Sequence, residues 1–204
     1  REGTVYLSVP DKNVNIHYTT DGTDPTNESS KYAAPLLMEK PTIVKAISVN
    51  PDNKEQTQPV EYYFDIPKKD WKVLWTSSGN LADTDKMIDE DPKTFWATAE
   101  GVKNPQEVII DLGEVYELTG FTYWPIQERY PFGIITNFEF SVSTNNQSWK
   151  SVAKGEFGNV VNNRIEQTVR FETVKARYIK LKGVKVDGED FRTSFAEIGV
   201  RTAQ

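Results

Sequence analysis

Where this chain carries apolar residues, it tends to carry them at every second position. In "TVYLSV" Val5, Leu7 and Val9 share one face; in "VNIHY" Val14, Ile16 and Tyr18 do, with Asn15 and His17 opposite. "NFEFSVS" alternates Phe138, Phe140 and Val142 with Glu139, Ser141 and Ser143, and "YIKLKG" sets Ile179 and Leu181 against Lys180 and Lys182. Successive side chains of a strand point to opposite faces, so a period of two buries one face of a sheet and leaves the other in water. The 3.6-residue period of an amphipathic helix is nearly absent. Each run is short and ends in Gly, Pro, Asn or Asp, the residues that turn a chain. Aromatic residues make up 12%, with five Trp and nine Tyr, which also favours strands. The expectation is an all-β chain built from β-sandwiches.

The composition removes several functions. A net charge of −6 at pH 7 opposes nucleic acid and anionic membranes, which both select a basic surface. Without cysteine there is neither a disulfide nor a thiolate metal site. The single histidine, His17, rules out a histidine-cluster metal centre and leaves no histidine-based triad. Its place on the polar face of a strand predicts an inert, solvent-facing side chain. No run reaches transmembrane length. The chain opens at Arg1-Glu2 without a signal peptide and is expected to be a piece of a longer protein.

Alternation stops at "FDIPKKDW", residues Phe64 to Trp71, where Pro67 precedes Lys68-Lys69-Asp70. This predicts a small domain over 1–66 and a larger one over 70–204, joined by a short linker.

In the first part, "IHYTTDGTDPT" runs a strand into a turn built on Asp21-Gly22 and Asp24-Pro25, followed by Tyr32, Pro35 and the strand "TIVKAISV". This order resembles the small β-sandwich at the C-terminal side of chitobiases and β-hexosaminidases. The resemblance implies an immunoglobulin-like, non-catalytic spacer, with Asp21 and Asp24 as turn residues.

In the second part, "MIDEDPKTFWAT", "NPQEVIIDLGEVYELTGFTYWP", "NFEFSVSTNNQSWKSV", "KARYIKLKG" and "TSFAEIGV" follow in order. The series resembles the coagulation factor five/eight type C, or discoidin-like, domain, and within it the family 32 carbohydrate-binding modules. The implied fold is a galactose-binding-like, jelly-roll β-sandwich with its ligand loops on one edge. "GEFGNVVNNRIEQTVRF", residues Gly155 to Phe171, resembles discoidin-like domains attached to α-L-fucosidases, with Arg164 where proline is familiar.

No catalytic residue is expected in this chain. A glycosidase holds two carboxylates at a set separation, and no motif among the 30 acids places such a pair. The common barrel scaffold needs about 250 residues, and two sandwiches leave no chain to build it. Binding is the better expectation. "YWPIQERYPFG", residues Tyr123 to Gly133, gathers Trp124, Tyr130 and Phe132 beside Glu128 and Arg129. Aromatic rings can stack on the C–H face of a sugar while charged groups fix its hydroxyls. The resembled modules build their sugar site with the corresponding loop. Secondary candidates are the loop of Asn159, Asn162, Asn163 and Arg164, and the tip "DFRTS" with Phe191 and Arg192. Trp96 and Trp149 match family positions that pack in the core. Two departures tell against simple galactose specificity: Ala97 replaces a frequent histidine, and Ile126-Gln127 a frequent arginine.

"KMIDEDPKTFWATAE", Lys86 to Glu100, crowds Asp89, Glu90 and Asp91 ahead of Thr94. It is not an EF-hand, yet carboxylate, hydroxyl and carbonyl oxygens in a tight loop suit a hard cation. A solvated acidic turn is the other reading of the same residues. In the resembled modules this loop and an Ala-Glu pair hold a structural Ca2+. Carried over, the ligands are the Lys86 carbonyl, the Asp89 carboxylate, the Asp91 carbonyl, the Thr94 hydroxyl and carbonyl, the Ala196 carbonyl and the Glu197 carboxylate. Glu90 stands where glycine is common, and a positive φ there is strained for any other residue.

The expected function is therefore a non-catalytic, glycan-binding region of an exported bacterial glycoside hydrolase, of α-L-fucosidase or β-hexosaminidase (chitobiase) type. The expected partners are glycans and the covalently attached catalytic domain, with the region itself a monomer. The alternatives are a structural or adhesion module contacting proteins, and a lipid binder with apolar loop spikes, which the acidic balance opposes.

Overall fold

The computed structural model describes residues 3–188 and 192–203. Among them the regular structure is strand, apart from one 3-10 turn at Thr84–Met87. Packing divides the chain between Lys69 and Asp70.

The first unit holds β1 (Thr4–Val5), β2 (Asn15–Thr19), β3 (Ser30–Lys31), β4 (Leu36–Leu37), β5 (Thr42–Val49) and β6 (Val60–Phe64). β1 pairs with β4, and the other four form a sheet in the order β3-β2-β5-β6. Val5, Met38, Val44 and Phe64 make its core, with Leu7 and Leu36 packed against them. The alternation read in "TVYLSV" persists beyond the ladder: Val5 is buried, Tyr6 exposed and Leu7 half-buried, although pairing ends at Val5. His17 corrects one expectation. It is half-buried, and its Nδ1 lies 2.8 Å from the Ser29 carbonyl. Asp21 closes the predicted turn by accepting the Thr23 amide at 3.0 Å and the Thr23 hydroxyl at 2.6 Å. Asp24 instead pairs with Lys45 at 2.9 Å.

The second unit holds β7 (Lys72–Thr76), β8 (Trp96–Ala97), β9 (Gln106–Trp124), β10 (Ile135–Ser143), β11 (Lys150–Glu156), β12 (Gln167–Val186), β13 (Ser194–Phe195) and β14 (Glu197–Thr202). Its main sheet runs β11-β10-β12-β9-β14, and β7 also pairs with β9. The antiparallel β9–β12 ladder breaks register between Arg170 and Val174 and again between Ala176 and Tyr178. Such bulges bend a strand and increase its twist, so one pair of long strands serves two stretches of sheet. β7 takes the first stretch of the free edge of β9 and β14 the second. β8 and β13 form a separate two-stranded ladder.

Aromatic rings fill the sandwich in a connected series. Phe121 stacks on Phe140 at 4.1 Å and Phe138 on Phe157 at 4.4 Å. Tyr123 stacks on Phe157 at 5.3 Å and meets Phe195 edge-on at 6.4 Å. Trp96 follows at 6.0 Å from Phe195. Offset and edge-on pairs of this kind add about 0.5–1.5 kcal/mol each to the burial of the rings. Trp96 is in the core as expected. Trp149 departs from the expectation: it is half-buried, with the Lys180 ammonium 4.7 Å from its ring centre.

Candidate functional site

The acidic loop is shaped by what surrounds it. Met87 and Ile88 are fully buried and fix its entry. Trp96 fixes its exit and donates its indole N–H to the Ala82 carbonyl at 3.1 Å. Between them, two carboxylates close two local turns. Asp89 Oδ1 accepts the Asp91 amide at 2.9 Å, and Asp91 Oδ1 accepts the Lys93 amide at 3.0 Å. Asp and Asn favour such turns because their side chains reach their own backbone two residues on. Glu90 adopts φ 69°, the left-handed conformation foreseen at this position.

The result is a cluster of oxygens with too few protons. Thr94 Oγ1 lies 2.7 Å from Asp89 Oδ2, 3.2 Å from the Asp91 carbonyl and 3.3 Å from the Lys86 carbonyl. A hydroxyl supplies one proton, so three acceptors from three residues crowd one donor. The Lys86 ammonium faces elsewhere, 3.7 Å from Asp83. From the far end of the chain, Glu197 Oε1 accepts the Glu90 amide at 2.8 Å. Glu197 is buried in β14, so its carboxylate reaches the loop from the sheet. Oxygens spaced in this way match the edges of a shell in which each ligand sits about 2.3–2.6 Å from a calcium ion. Among the described residues no three His, Cys, Asp or Glu side chains converge as a metal cluster. The oxygens gathered around Thr94 Oγ1 are two carbonyls and the Asp89 carboxylate, hard donors of the kind that suit Ca2+ better than a softer metal.

The second group lies where β9 ends. Trp124 is the last residue of β9 and stands opposite Glu197 in the β9–β14 ladder. Ile126 is fully buried, so the position that lacks the familiar arginine is an apolar plug. The next residues are exposed, and Tyr130 is 78% accessible, with the Arg129 guanidinium 5.4 Å from its ring centre. Phe132 is half-buried between two partners: Phe95 meets it edge-on at 6.0 Å, and the Arg192 guanidinium lies 3.9 Å over its ring. At Gly133, φ is 64° and a Cβ would collide with the Arg192 carbonyl, so only glycine lets the tip approach the loop this closely.

Arg164 joins the group in another way than expected. Its Nη1 donates to the Glu128 carbonyl at 2.7 Å and to the Ile126 carbonyl at 3.3 Å. In return, Gln127 Nε2 donates to the Arg164 carbonyl at 2.9 Å. Arg164 thus braces the Trp124 loop from outside. Asn159 and Asn162 are spent on their own turn: Asn159 has φ 56° and accepts the Asn162 side-chain amide at 3.0 Å. Asn163 is exposed. Phe191 lies outside the described residues.

Two residues of this region escaped the sequence reading. Phe95 precedes the core Trp96 and turns toward Phe132. Ser194 is fully buried and donates its hydroxyl to the Phe132 carbonyl at 2.8 Å. The only sequence signal for Ser194 is its place in "RTSFAE", beside the Ala-Glu pair.

The F5/8 type C domain family matches residues 72–198, and an Fn3 associated domain matches residues 5–62. The chain belongs to the F5/8 type C domain family. It is similar to a galactose oxidase of Gibberella zeae, 30% identical over 141 residues, a stretch that takes in 66% of this chain and 20% of that enzyme. Among solved structures it is similar to CpGH89CBM32-5 from Clostridium perfringens, in complex with GalNAc-β-1,3-galactose. That match has 26% identity and a TM-score of 0.58, and covers 67% of this chain and 98% of that one. It is also similar to the family 32 carbohydrate-binding module of Clostridium perfringens NanJ in complex with galactose. Here identity is 25% and the TM-score 0.57, over 66% of this chain and 95% of that one.

Proposed function

We propose that the second unit is a carbohydrate-binding module that holds an attached, glycan-active catalytic domain near its substrate, and that this region performs no catalysis itself. The observation that carries the reading is the loop after Trp124, where Tyr130 stands 78% exposed with Arg129 against its ring. Two residues on, the Arg192 guanidinium lies over the half-buried ring of Phe132. An exposed ring with a guanidinium against it offers stacking and hydroxyl recognition together. Two similar modules were solved with galactose or a galactose-containing disaccharide, which supports a glycan as the ligand class. The sugar-contacting residues in this reading are Trp124, Glu128, Arg129, Tyr130, Phe132 and Arg192, with Asn163 at the margin. Arg164 acts by holding the loop.

The catalytic partner is a glycoside hydrolase in this reading. The similarity to a galactose oxidase shows the same kind of domain in a different carbohydrate enzyme. The α-L-fucosidase assignment rests on the Gly155–Phe171 resemblance alone. Glycans as targets place the region outside the bacterial cytoplasm.

The loop 86–94 with Ala196 and Glu197 holds a structural Ca2+. Its support is the oxygen cluster around Thr94 Oγ1. When bound, the ion supplies positive charge at these acceptors, from which the Lys86 ammonium is turned away toward Asp83. Glycan-array screening of the fragment with calcium present tests the binding role: defined glycan hits support it, and a blank array with folded, calcium-loaded protein removes it.

A further inference from the structure

The ladder registers of the second unit set one row of residues across the outer face of its main sheet. Trp75 of β7 stands opposite Ile109 of β9, and Ile109 opposite Lys180 of β12. Lys180 stands opposite Ser141 of β10, and Ser141 opposite Ser151 of β11. Directly opposed residues of an antiparallel pair share a face. Their neighbours along the strands, among them Ile110, Ile179 and Phe140, are buried in the core, so the row faces the other way. Trp149, two residues before Ser151, comes to the same face, with the Lys180 ammonium 4.7 Å from its ring centre. Trp75 is 43% accessible, while Ile109, Lys180 and Trp149 are half-buried. Ser141 is buried, so the surface itself is made by Trp75, Ile109, Lys180 and Trp149. Strands lie about 4.8 Å apart, which makes the five-strand row roughly 19 Å long.

The charge along this row is uneven. β12 carries five cations and no acid between Thr173 and Val186, in a chain of net charge −6. Arg177 is spent on Asp111 and Lys175 lies near Glu117. Lys182 sits between Glu139 and Glu107 in the ladders. Lys180 differs. Its ladder neighbours, Ser141 and Ile109, carry no charge, and among the described residues it enters no ion pair. In strand order the surface therefore reads ring, unmatched cation, ring.

An ammonium without a carboxylate of its own takes one readily from a ligand, and an exposed indole stacks on the C–H face of a sugar. A protein partner fits this surface worse. Stable protein interfaces bury about 800 Å² on each side, and the adjoining row of Glu139, Lys182 and Glu107 is wholly charged, which leaves no apolar centre. We infer that the row from Trp75 to Trp149 is a second glycan-binding surface, for an extended polysaccharide in which uronic acids alternate with neutral sugars. The uronic carboxylate meets Lys180 and the neutral sugars lie on the two indoles. This surface uses no residue of the loop after Trp124.

Calorimetry with short hyaluronan oligosaccharides, which alternate a uronic acid with an N-acetylated neutral sugar, tests the inference. Carboxyl-reduced hyaluronan is the comparison, and needs no variant. Reduction of the ligand should weaken binding by about tenfold or more, the scale of one charge-assisted contact. Lys180→Gln should bind intact hyaluronan as weakly as the wild type binds the reduced form, and Lys180→Arg should keep most of the affinity. Trp75→Ala should lose about tenfold or more as well, with its melt unchanged because the side chain is exposed. Equal binding of intact and reduced hyaluronan overturns the role of Lys180. Equal binding by wild type, Lys180→Gln and Trp75→Ala moves the ligand off this row and overturns the inference. Poly-L-glutamate bound as tightly as hyaluronan overturns the glycan and leaves an acidic peptide as the occupant. No binding of hyaluronan by the wild type overturns the inference and leaves the loop reading standing.

Discussion

The Glu197 carboxylate accepts the backbone amide of Glu90 at 2.8 Å, across 107 positions of sequence. One bond thus joins the last strand of the sandwich to a loop near its first, and it does so at the residue whose φ is 69°. Local strain, a buried carboxylate and a crowd of acceptors meet at one point, which is where a cation stabilises a fold most.

Calcium should therefore raise the melting temperature, and chelator should lower it. A ligand at a hundredfold excess over its Kd stabilises the folded state by about 2.7 kcal/mol, which corresponds to a shift of several degrees for a domain of this size. Asp89→Ala should abolish the difference. Superimposable wild-type melts in calcium and chelator would remove the cation from the account.

Glu90 is the position where substitution tests the backbone conformation, with φ at 69°. Glycine adopts positive φ without a Cβ penalty, whereas a left-handed conformation costs other residues about 1–2 kcal/mol. Glu90→Gly should leave stability unchanged or raise it by up to about 1 kcal/mol, the glycine losing part of the gain to unfolded-state entropy. Glu90→Val should lose about 1–2 kcal/mol, since a β-branched residue tolerates the conformation least. Urea denaturation in calcium checks both, and a valine variant as stable as the glycine one would contradict the argument.

Arg177 grips Asp111 with two parallel bonds of 2.8 and 2.9 Å. The guanidinium, helped by the Gly113 amide, holds the Asp111 carboxyl below its ordinary pKa. A carboxyl depressed in the folded state contributes stability above its unfolded pKa of about 3.9 and loses it as pH falls through the lower, folded value. Asp111→Asn should therefore destabilise the domain at neutral pH, and the gap to wild type should close under acid, below about pH 4. A gap that stays constant from pH 7 to pH 3 would show that the ion pair is not its cause.

Arg164 should matter to binding through the loop it braces. Arg164→Ala removes the bonds to the Ile126 and Glu128 carbonyls and should weaken glycan binding by about tenfold, equivalent to about 1.4 kcal/mol. The melting temperature should change little. Arg164→Lys should fall between the two, because an ammonium lacks the planar fork that spans both carbonyls. Equal glycan isotherms for wild type and Arg164→Ala would make the brace irrelevant.

The class of fold was legible because alternation is a local property: Phe138, Phe140 and Val142 are buried as their spacing predicts, although Ser141 and Ser143 on the other face are buried too. The turns of the acidic loop were legible for a related reason, since Asp89, Asp91 and Thr94 lie within six residues and turn chemistry is local. What the sequence hid is long-range. Nothing in "VIIDLGEVYELTG" announces that β9 runs unbroken for 19 residues, because bends in a long strand are set by its neighbours' register and not by its own pattern. His17 alternates as a solvent-facing residue would, yet the loop ending at Ser29 folds over it. Ser194 is a small polar residue in a polar run, and only the tertiary fold makes it the anchor of Phe132 and Gly133.

The central claim, that the loop after Trp124 binds glycans, is tested most directly by one comparison. The fragment and its Trp124→Ala variant are titrated in calcium with the strongest glycan-array hit. The account predicts wild-type binding near millimolar Kd, about 4 kcal/mol, and loss of binding in Trp124→Ala with its melt unchanged. Equal binding by both proteins would contradict it.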